Sequence, residues 1–424
     1  MKVSRKFLIL SLSYGACIVA FLAFSRFLGL NTDSIVHRSK NIVDLSTQSA
    51  RSTENTVIRN TALVKTSHLK GNYNTSLGLE HGDVDKIRTV EDSSKTNSTC
   101  EPCNRIVFLK THKTASTTAN TIIQRYGYEH NLRFAIPTWR GKFSLVSPFD
   151  RKMVASPPGK RKTNATAAVY NVIANHARFN KPEMDAVIPN ARYLTILRDP
   201  VTRFESVFGY YMVAEHLELN KFPNPIEKFF ENPDHYFKKK PFMYFQLKNG
   251  MLFSLGLNHI YHNSETKVDR KIRELDKEFD LVLLTEYFDE SLLLMKKLLC
   301  WDEDDIFYLP KGIRPEKRRY AVDRNLRDKI LNWTKADVKL YDHFNRTLWQ
   351  KVKDYGPSFD ADLEHFRNRQ RALYNECVDP HRIGKLGDPR ERFLALYRNA
   401  SDFCELLMKR VDGFVNIARE KQWT

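Results

Sequence analysis

The chain has 424 residues, enough for one large catalytic domain or for two modest ones with a tail. Its 68 Lys and Arg against 50 Asp and Glu give a formal charge of +18, which points to anionic partners: a nucleotide, a sulfated sugar, anionic lipid or nucleic acid. The basic residues are dispersed, and neither zinc-finger spacing nor an RNA-binding aromatic motif occurs, so nucleic acid ranks last among these, and a plainly solvated basic surface explains the charge equally well.

In chain order, a short basic tail (residues 1–6, with Lys2, Arg5 and Lys6) precedes Phe7 to Phe24, 18 residues without a charge. At helical rise that run spans about 27 Å, close to a bilayer core. Only Arg26 follows closely, so the positive-inside bias places the N-terminus in the cytosol and the remainder in a lumen. A cleaved signal peptide is the competing reading, and the length of the run and the lack of an A-x-A site favour an uncleaved signal-anchor over residues 7–30. Residues 31–99 are rich in Ser, Thr, Asn and charge and poor in aromatics, the composition of a flexible stem. Six N-x-[ST] triplets, at Asn74, Asn97, Asn164, Asn332, Asn345 and Asn399, agree with lumenal exposure. Beyond the membrane run stand Cys100, Cys103, Cys300, Cys377 and Cys404, an odd number, so at least one is free or pairs between chains. "CEPC" has no second Cys/His pair at a zinc-site distance, which leaves disulfides in an oxidising lumen as the better reading and no metal site.

From Cys100 onward short apolar runs alternate with helical patterns, which predicts an α/β domain over 100–424 with a mostly parallel sheet and flanking helices. Strands are expected at Arg105–Lys110, Ala167–His176, Ala191–Pro200 and Phe279–Phe288, with helices at Ser116 to about Tyr126, Arg203 to about Glu215 and after Phe288. The tail beyond about Asp323 reads as charged and helical.

The first strand runs into "KTHKTASTT", then a helix. A helix N-terminus offers unpaired amides and a positive dipole end. Lys113 adds a charge and Ser116, Thr117 and Thr118 add hydroxyls, so the turn resembles a P-loop in shape while lacking its glycines. An N-capped helix with surface lysines gives the same pattern without a ligand. "LRDPVTRFESVFGYY" then places Arg198 at the C-terminal end of the third strand, where ligands of open α/β sheets sit, and Ser206 inside the next helix. Arg supplies a rigid fork for phosphate and Ser a hydroxyl. Two anion sites on neighbouring strands suit a nucleotide with a 5′-phosphosulfate and a 3′-phosphate better than ATP.

These two stretches resemble the 5′- and 3′-phosphosulfate-binding motifs of Golgi sulfotransferases that use 3′-phosphoadenosine 5′-phosphosulfate (PAPS), and the match is closest to the galactose-3-O-sulfotransferases. "NVIANHARF", "LVLLTEYFDESL", "LLCW" and "HFNRTLWQKVKDYG" are similar to the same family, and the resemblance runs from about Cys100 to near Tyr355. It implies a P-loop-like sulfotransferase fold, with Lys110, Lys113, Thr114, Ala115, Ser116 and Thr117 around the 5′-phosphosulfate, and Arg198 and Ser206 on the 3′-phosphate. Arg314, in "KGIRPEKRR", is a further candidate for a loop closing over the 3′-phosphate, and a solvated basic loop reads equally well. Lys113 would neutralise the leaving phosphate oxygen. The acceptor hydroxyl needs a base, for which a histidine is suited. His176, at the end of the second strand, is the first candidate and His112, in the turn, the second.

The reading is therefore a PAPS-dependent Golgi enzyme, single-pass type II, that sulfates a terminal β-galactose of a glycolipid or glycoprotein glycan at its 3-hydroxyl, without a metal. The partners implied are that acceptor and the membrane, with a homodimer as an open alternative and no nucleic acid. A sulfotransferase for uronic acid or another hexose, a lumenal P-loop kinase and a non-enzymatic glycan-binding protein are the competing readings.

Overall fold

A computed structural model describes residues 100–138, 142–155, 170–239, 244–383 and 394–423. The expected tail, membrane helix and stem, with Asn74, Asn97 and Asn164, lie outside the described residues. Among the described residues no helix is long and apolar enough to cross a membrane.

Four strands, Ile106–Leu109 (β1), Val172–Ile173 (β2), Arg192–Leu197 (β3) and Leu281–Leu284 (β4), form one parallel sheet in the order β2-β1-β3-β4. Val107 lies opposite Ile173 on one side and Tyr193 on the other, and Thr195 lies opposite Val282. Every residue of β1 and β4 is buried. Continuous apolar strands of this kind are what a parallel sheet covered on both faces requires.

The covering helices are Ser116–Glu129 (α1), Pro200–Tyr210 (α2), Glu265–Glu278 (α3), Phe288–Leu299 (α4), Arg324–Trp333 (α5), Lys335–Tyr355 (α6), Phe359–Cys377 (α7), Asp402–Met408 (α8) and Val411–Trp423 (α9). α3 shows why so polar a segment is helical. Its buried residues are Val268, Ile272 and Leu275, one stripe at i, i+4 and i+7. A second apolar cluster, built on Phe204, Phe208, Phe229 and Trp333, fixes α2 against α5.

Several boundaries differ from those expected, and three of them bear on how the chain reaches the site. β2 is shorter than Ala167–His176, of which 167–169 lie outside the described residues. After Ile173, opposite Val107, the chain leaves β1 although β1 continues to Leu109, and it pairs outward instead: the carbonyls of His176 and Arg178 accept from the amides of Phe143 and Phe149. α2 begins at Pro200 rather than Arg203, because Asp199 caps it through the Thr202 amide (2.9 Å) and proline is at home in the first turn. β4 ends at Leu284, where a short 3₁₀ turn, Thr285–Tyr287, leads directly into α4.

Cys100 pairs with Cys300 and Cys377 with Cys404, at Cα separations of 5.8 and 5.4 Å, which leaves Cys103 as the free thiol among the described residues. Of the expected glycosylation sequons, Asn332 and Asn399 are exposed and Asn345 is half-buried.

The topology fixes where a ligand can sit. From β1 the chain leaves toward β2, and from β3 it leaves toward β4 on the opposite side. The connections diverge between β1 and β3, and a crevice opens outside the carboxyl ends of those strands.

Candidate active site

A cavity of about 470 Å³ occupies that crevice, within the range of small-molecule sites. Its wall brings together Lys110, Lys113, Thr114, Ala115, Ser116 and Thr117 from the turn after β1. His112 and His176 join them, as do Arg198 and Ser206 from the far side. The wall contains six cationic side chains (Lys110, Lys113, Lys142, Arg198, Lys311 and Arg410) against one carboxylate, Asp412. Low-dielectric walls lined by one sign of charge focus the field on an anionic ligand.

The turn is made without glycine. Lys113 and Ala115 take left-handed φ values of 61° and 54°. For residues with a Cβ this costs about 1–2 kcal/mol each, a strain that persists only where the surroundings over-determine it. Here they do so carbonyl by carbonyl. Lys110 O lies 3.0 Å from His176 Nδ1, and Thr111 O accepts from the Ser116 hydroxyl. His112 O accepts from Arg203 Nε at 3.1 Å, Lys113 O from Arg198 Nη1 at 3.3 Å, and Thr114 O from the Thr285 hydroxyl at 2.9 Å. Five successive carbonyls are thus tied down by side chains from α1, from α2, and from the segments that follow β2, β3 and β4. The alternating backbone and the start of α1 leave amide N–H groups as the donors that the turn can offer, the arrangement of an anion nest.

This assigns several hydroxyls a bracing role. The Thr114 hydroxyl bonds that of Thr111 at 2.7 Å, and Thr111 reaches across to Ile196 O on β3. Thr118 accepts from the Lys311 amide at 3.0 Å. The hydroxyls of Thr114 and Ser116 are thus engaged within the fold, while Thr117 is half-buried at the cavity wall. Lys113 Nζ lies 3.7 Å from the centre of the Tyr210 ring, a cation–π contact that holds the ammonium at the cavity.

The two histidines stack, with centroids 4.1 Å apart and an interplanar angle of 8°. A carbonyl can only accept, so His176 carries its proton on Nδ1 and the lone pair on Nε2. His112 Nδ1 lies 3.0 Å from the Tyr211 hydroxyl. Both imidazoles are pushed well below their ordinary value, chiefly by burial; Arg203 and Lys110 add to this for His112, and His112 and Lys110 for His176. Both are neutral at physiological pH.

Arg198 donates to Thr202 Oγ1 (3.1 Å) as well as to the turn, and burial lowers its guanidinium against the opposing pull of Glu286 and Glu205. Ser206 is buried on the same helix and lines the cavity. Arg314 does not line the cavity. It bonds the Glu205 carboxylate and the Glu205 carbonyl, next to Ser206, and its Nη1 packs where a Cβ on Gly209 would stand.

Sequence reasoning missed Arg203, Tyr210 and Tyr211. Arg203 is 1% exposed, gives both Nη groups to Gln246 (3.0 Å each) and lies 3.9 Å from the buried Asp337. A signal existed: Arg203, Ser206 and Tyr210 stand at i, i+3 and i+7, one face of α2. Lys142 and Arg410 come from loops distant in sequence, and nothing local marked them; Lys311 opens the basic loop already singled out for Arg314. Among the described residues no group of three His, Cys, Asp or Glu side chains is arranged to hold a metal ion.

The model of the galactose-3-O-sulfotransferase family matches residues 42–392. Galactosylceramide sulfotransferase of Homo sapiens is 37% identical over 288 residues, which cover 66% of this chain and 65% of that protein. Galactose-3-O-sulfotransferase 3 of Bos taurus is 31% identical over 278 residues, covering 64% and 63%. The chain thus spans just under two thirds of the length of these relatives. A sulfotransferase structure from Alicyclobacillus acidocaldarius overlays at a TM-score of 0.31 with 14% identity, over 58% of this chain and 96% of that one, too distant a likeness to carry weight.

Proposed function

Since the chain belongs to the galactose-3-O-sulfotransferase family, we propose that it transfers the sulfuryl group of PAPS to the 3-hydroxyl of a terminal β-galactose on a glycolipid or glycoprotein glycan. The observation that carries this reading is the joining, in one cationic cavity, of a glycine-free anion nest at β1, an arginine and a serine at β3 and α2, and a neutral histidine. The nest and Lys113 suit a 5′-phosphosulfate. Arg198 and Ser206 suit a 3′-phosphate set apart from it.

His176 Nε2 takes the proton of the acceptor hydroxyl as its oxygen bonds to sulfur and the bond from sulfur to the phosphate oxygen breaks. Lys113 and the nest amides meet the charge that develops on that departing oxygen, where fixed donors act most strongly. His112 keeps the His176 ring in place by stacking. The products are the sulfated galactoside and 3′-phosphoadenosine 5′-phosphate (PAP), with the proton left on His176.

We place the enzyme in the Golgi membrane as a single-pass type II protein, anchored by residues 7–30 with residues 100–424 lumenal. The two cysteine pairs support an oxidising compartment. The test is incubation of the protein with labelled PAPS and a panel of glycans and glycolipids. Label on terminal β-galactosides is expected; label on uronic acids alone, or none on any acceptor, would refute the assignment.

A further inference from the structure

The cavity wall includes Arg410, Val411 and Asp412, which lie beyond residue 392, where the family match ends. α9 starts there, packs along α1, and opens its first turn on the same cavity as the first turn of α1.

The segment that carries Arg410 is firmly held. Cys404 in α8 is tied to Cys377 at the end of α7. Lys311 Nζ donates to the Leu407 carbonyl at 2.6 Å and lies 3.7 Å from Met408 Sδ. The Arg125 guanidinium stands 5.2 Å from the centre of the Phe403 ring. Lys311 is itself pinned to the first turn of α1 through Thr118. Burial, and then the charge of Arg410, push its ammonium down to about 7. Arg410 and a lysine that gives up its proton easily thus stand side by side at the nest, with Asp412 as the one carboxylate on the wall. Like charges held together in this way are relieved by an anion between them.

We infer that Arg410, delivered to the cavity by the disulfide-anchored helix α8, is a donor-binding residue that contacts the anionic nucleotide at the end held by α1. The inference rests on the reading of the cavity as the PAPS site. It makes the C-terminal segment part of the donor site and gives the Cys377–Cys404 pair a positioning role.

The test is calorimetric titration of PAP into the full chain and into R410Q, R410K and the C377A/C404A double variant. Wild type binds PAP, R410Q weakens it at least tenfold, R410K weakens it about threefold because an ammonium lacks the planar fork, and the double cysteine variant falls between R410Q and wild type. R410Q also raises the donor KM while leaving the acceptor KM unchanged, a split that general loosening of the fold would not give. Absence of PAP binding by wild type overturns the donor reading itself. Wild-type binding with R410Q within twofold of it overturns the role of Arg410; should R410Q not fold, unchanged affinity in R410K does the same.

Discussion

His176→Asn separates the two jobs of one imidazole. His176 Nδ1–H donates to Lys110 O across 3.0 Å, and an Asn side-chain amide can donate the same bond, so the turn keeps its first brace. Nothing in Asn replaces the lone pair on Nε2. Loss of a general base costs about 10²–10⁴ in rate, or about 2.7–5.4 kcal/mol at 1.36 kcal/mol per decade. Initial rates of sulfate transfer from labelled PAPS should fall by that factor, while PAP binding stays within threefold of wild type. The pH profile adds a second reading. Because burial depresses the His176 imidazole well below its ordinary value, it is already neutral at mildly acidic pH. Wild-type kcat/KM should therefore stay level as pH falls to 6.5 and decline only below it. Stability follows with the same sign: the unfolded chain takes up protons below about 6.5 that the folded chain refuses, so stability present above that pH is lost as pH falls through the depressed values of His112 and His176. His112→Phe keeps a ring in the stack and should cost less than tenfold. Turnover of His176→Asn within tenfold of wild type, or a large loss in His112→Phe instead, would refute the assignment of the base.

Lys113→Ala should lower kcat by about 10²–10³, the cost of removing one preorganised donor from a developing oxyanion, with the unfolding temperature near that of wild type because the side chain faces the cavity. Arg198→Ala and Ser206→Ala should raise the donor KM, about tenfold or more for the arginine and less for the serine; a fall in kcat with unchanged donor KM would contradict the 3′-phosphate assignment. Arg198→Ala should also lower kcat modestly, since its Nη1 braces Lys113 O. Arg203→Met strands the buried Asp337 and should cost about 3–5 kcal/mol, seen as a lower urea midpoint, with Arg203→Met/Asp337→Asn losing less than the two single changes combined.

Much of this was legible in the sequence. β1 and β4 announced themselves as unbroken apolar runs, and β3 as a run interrupted only by Thr195 after its first residue, because both faces of a parallel sheet are covered. The expected second strand ran too far because the chain after Ile173 leaves β1 to pair with Phe143 and Phe149, more than 25 residues away in sequence, and no feature of residues 174–176 records that change of partner. The anion turn could be found from residue types and spacing. The work of its hydroxyls could not: Thr111 bonds a carbonyl 85 residues away, and His176 a carbonyl 66 residues away. The stack of His112 on His176 has no local signature for the same reason.

The turn also shows how a nest of this kind can be built without glycine. Glycine serves such loops by making left-handed backbone inexpensive and by letting a ligand approach. Here Lys113 and Ala115 take that conformation with a Cβ in place, at about 1–2 kcal/mol each. Five hydrogen bonds from outside the loop hold it there, at about 0.5–1.5 kcal/mol net apiece. The sum on the favourable side is comparable with or larger than the strain, so the loop is set before a nucleotide arrives and little ordering is left to be done on binding. The arrangement has a consequence for mutagenesis. His176, Arg198 and Ser116 each serve the ligand site and the brace together, so their effects will not add: once one carbonyl is released the strained residues can relax, and the loss of a second brace costs less than it would alone. Thr285 braces without lining the cavity, so a single change there separates the contribution of loop rigidity from that of direct contact.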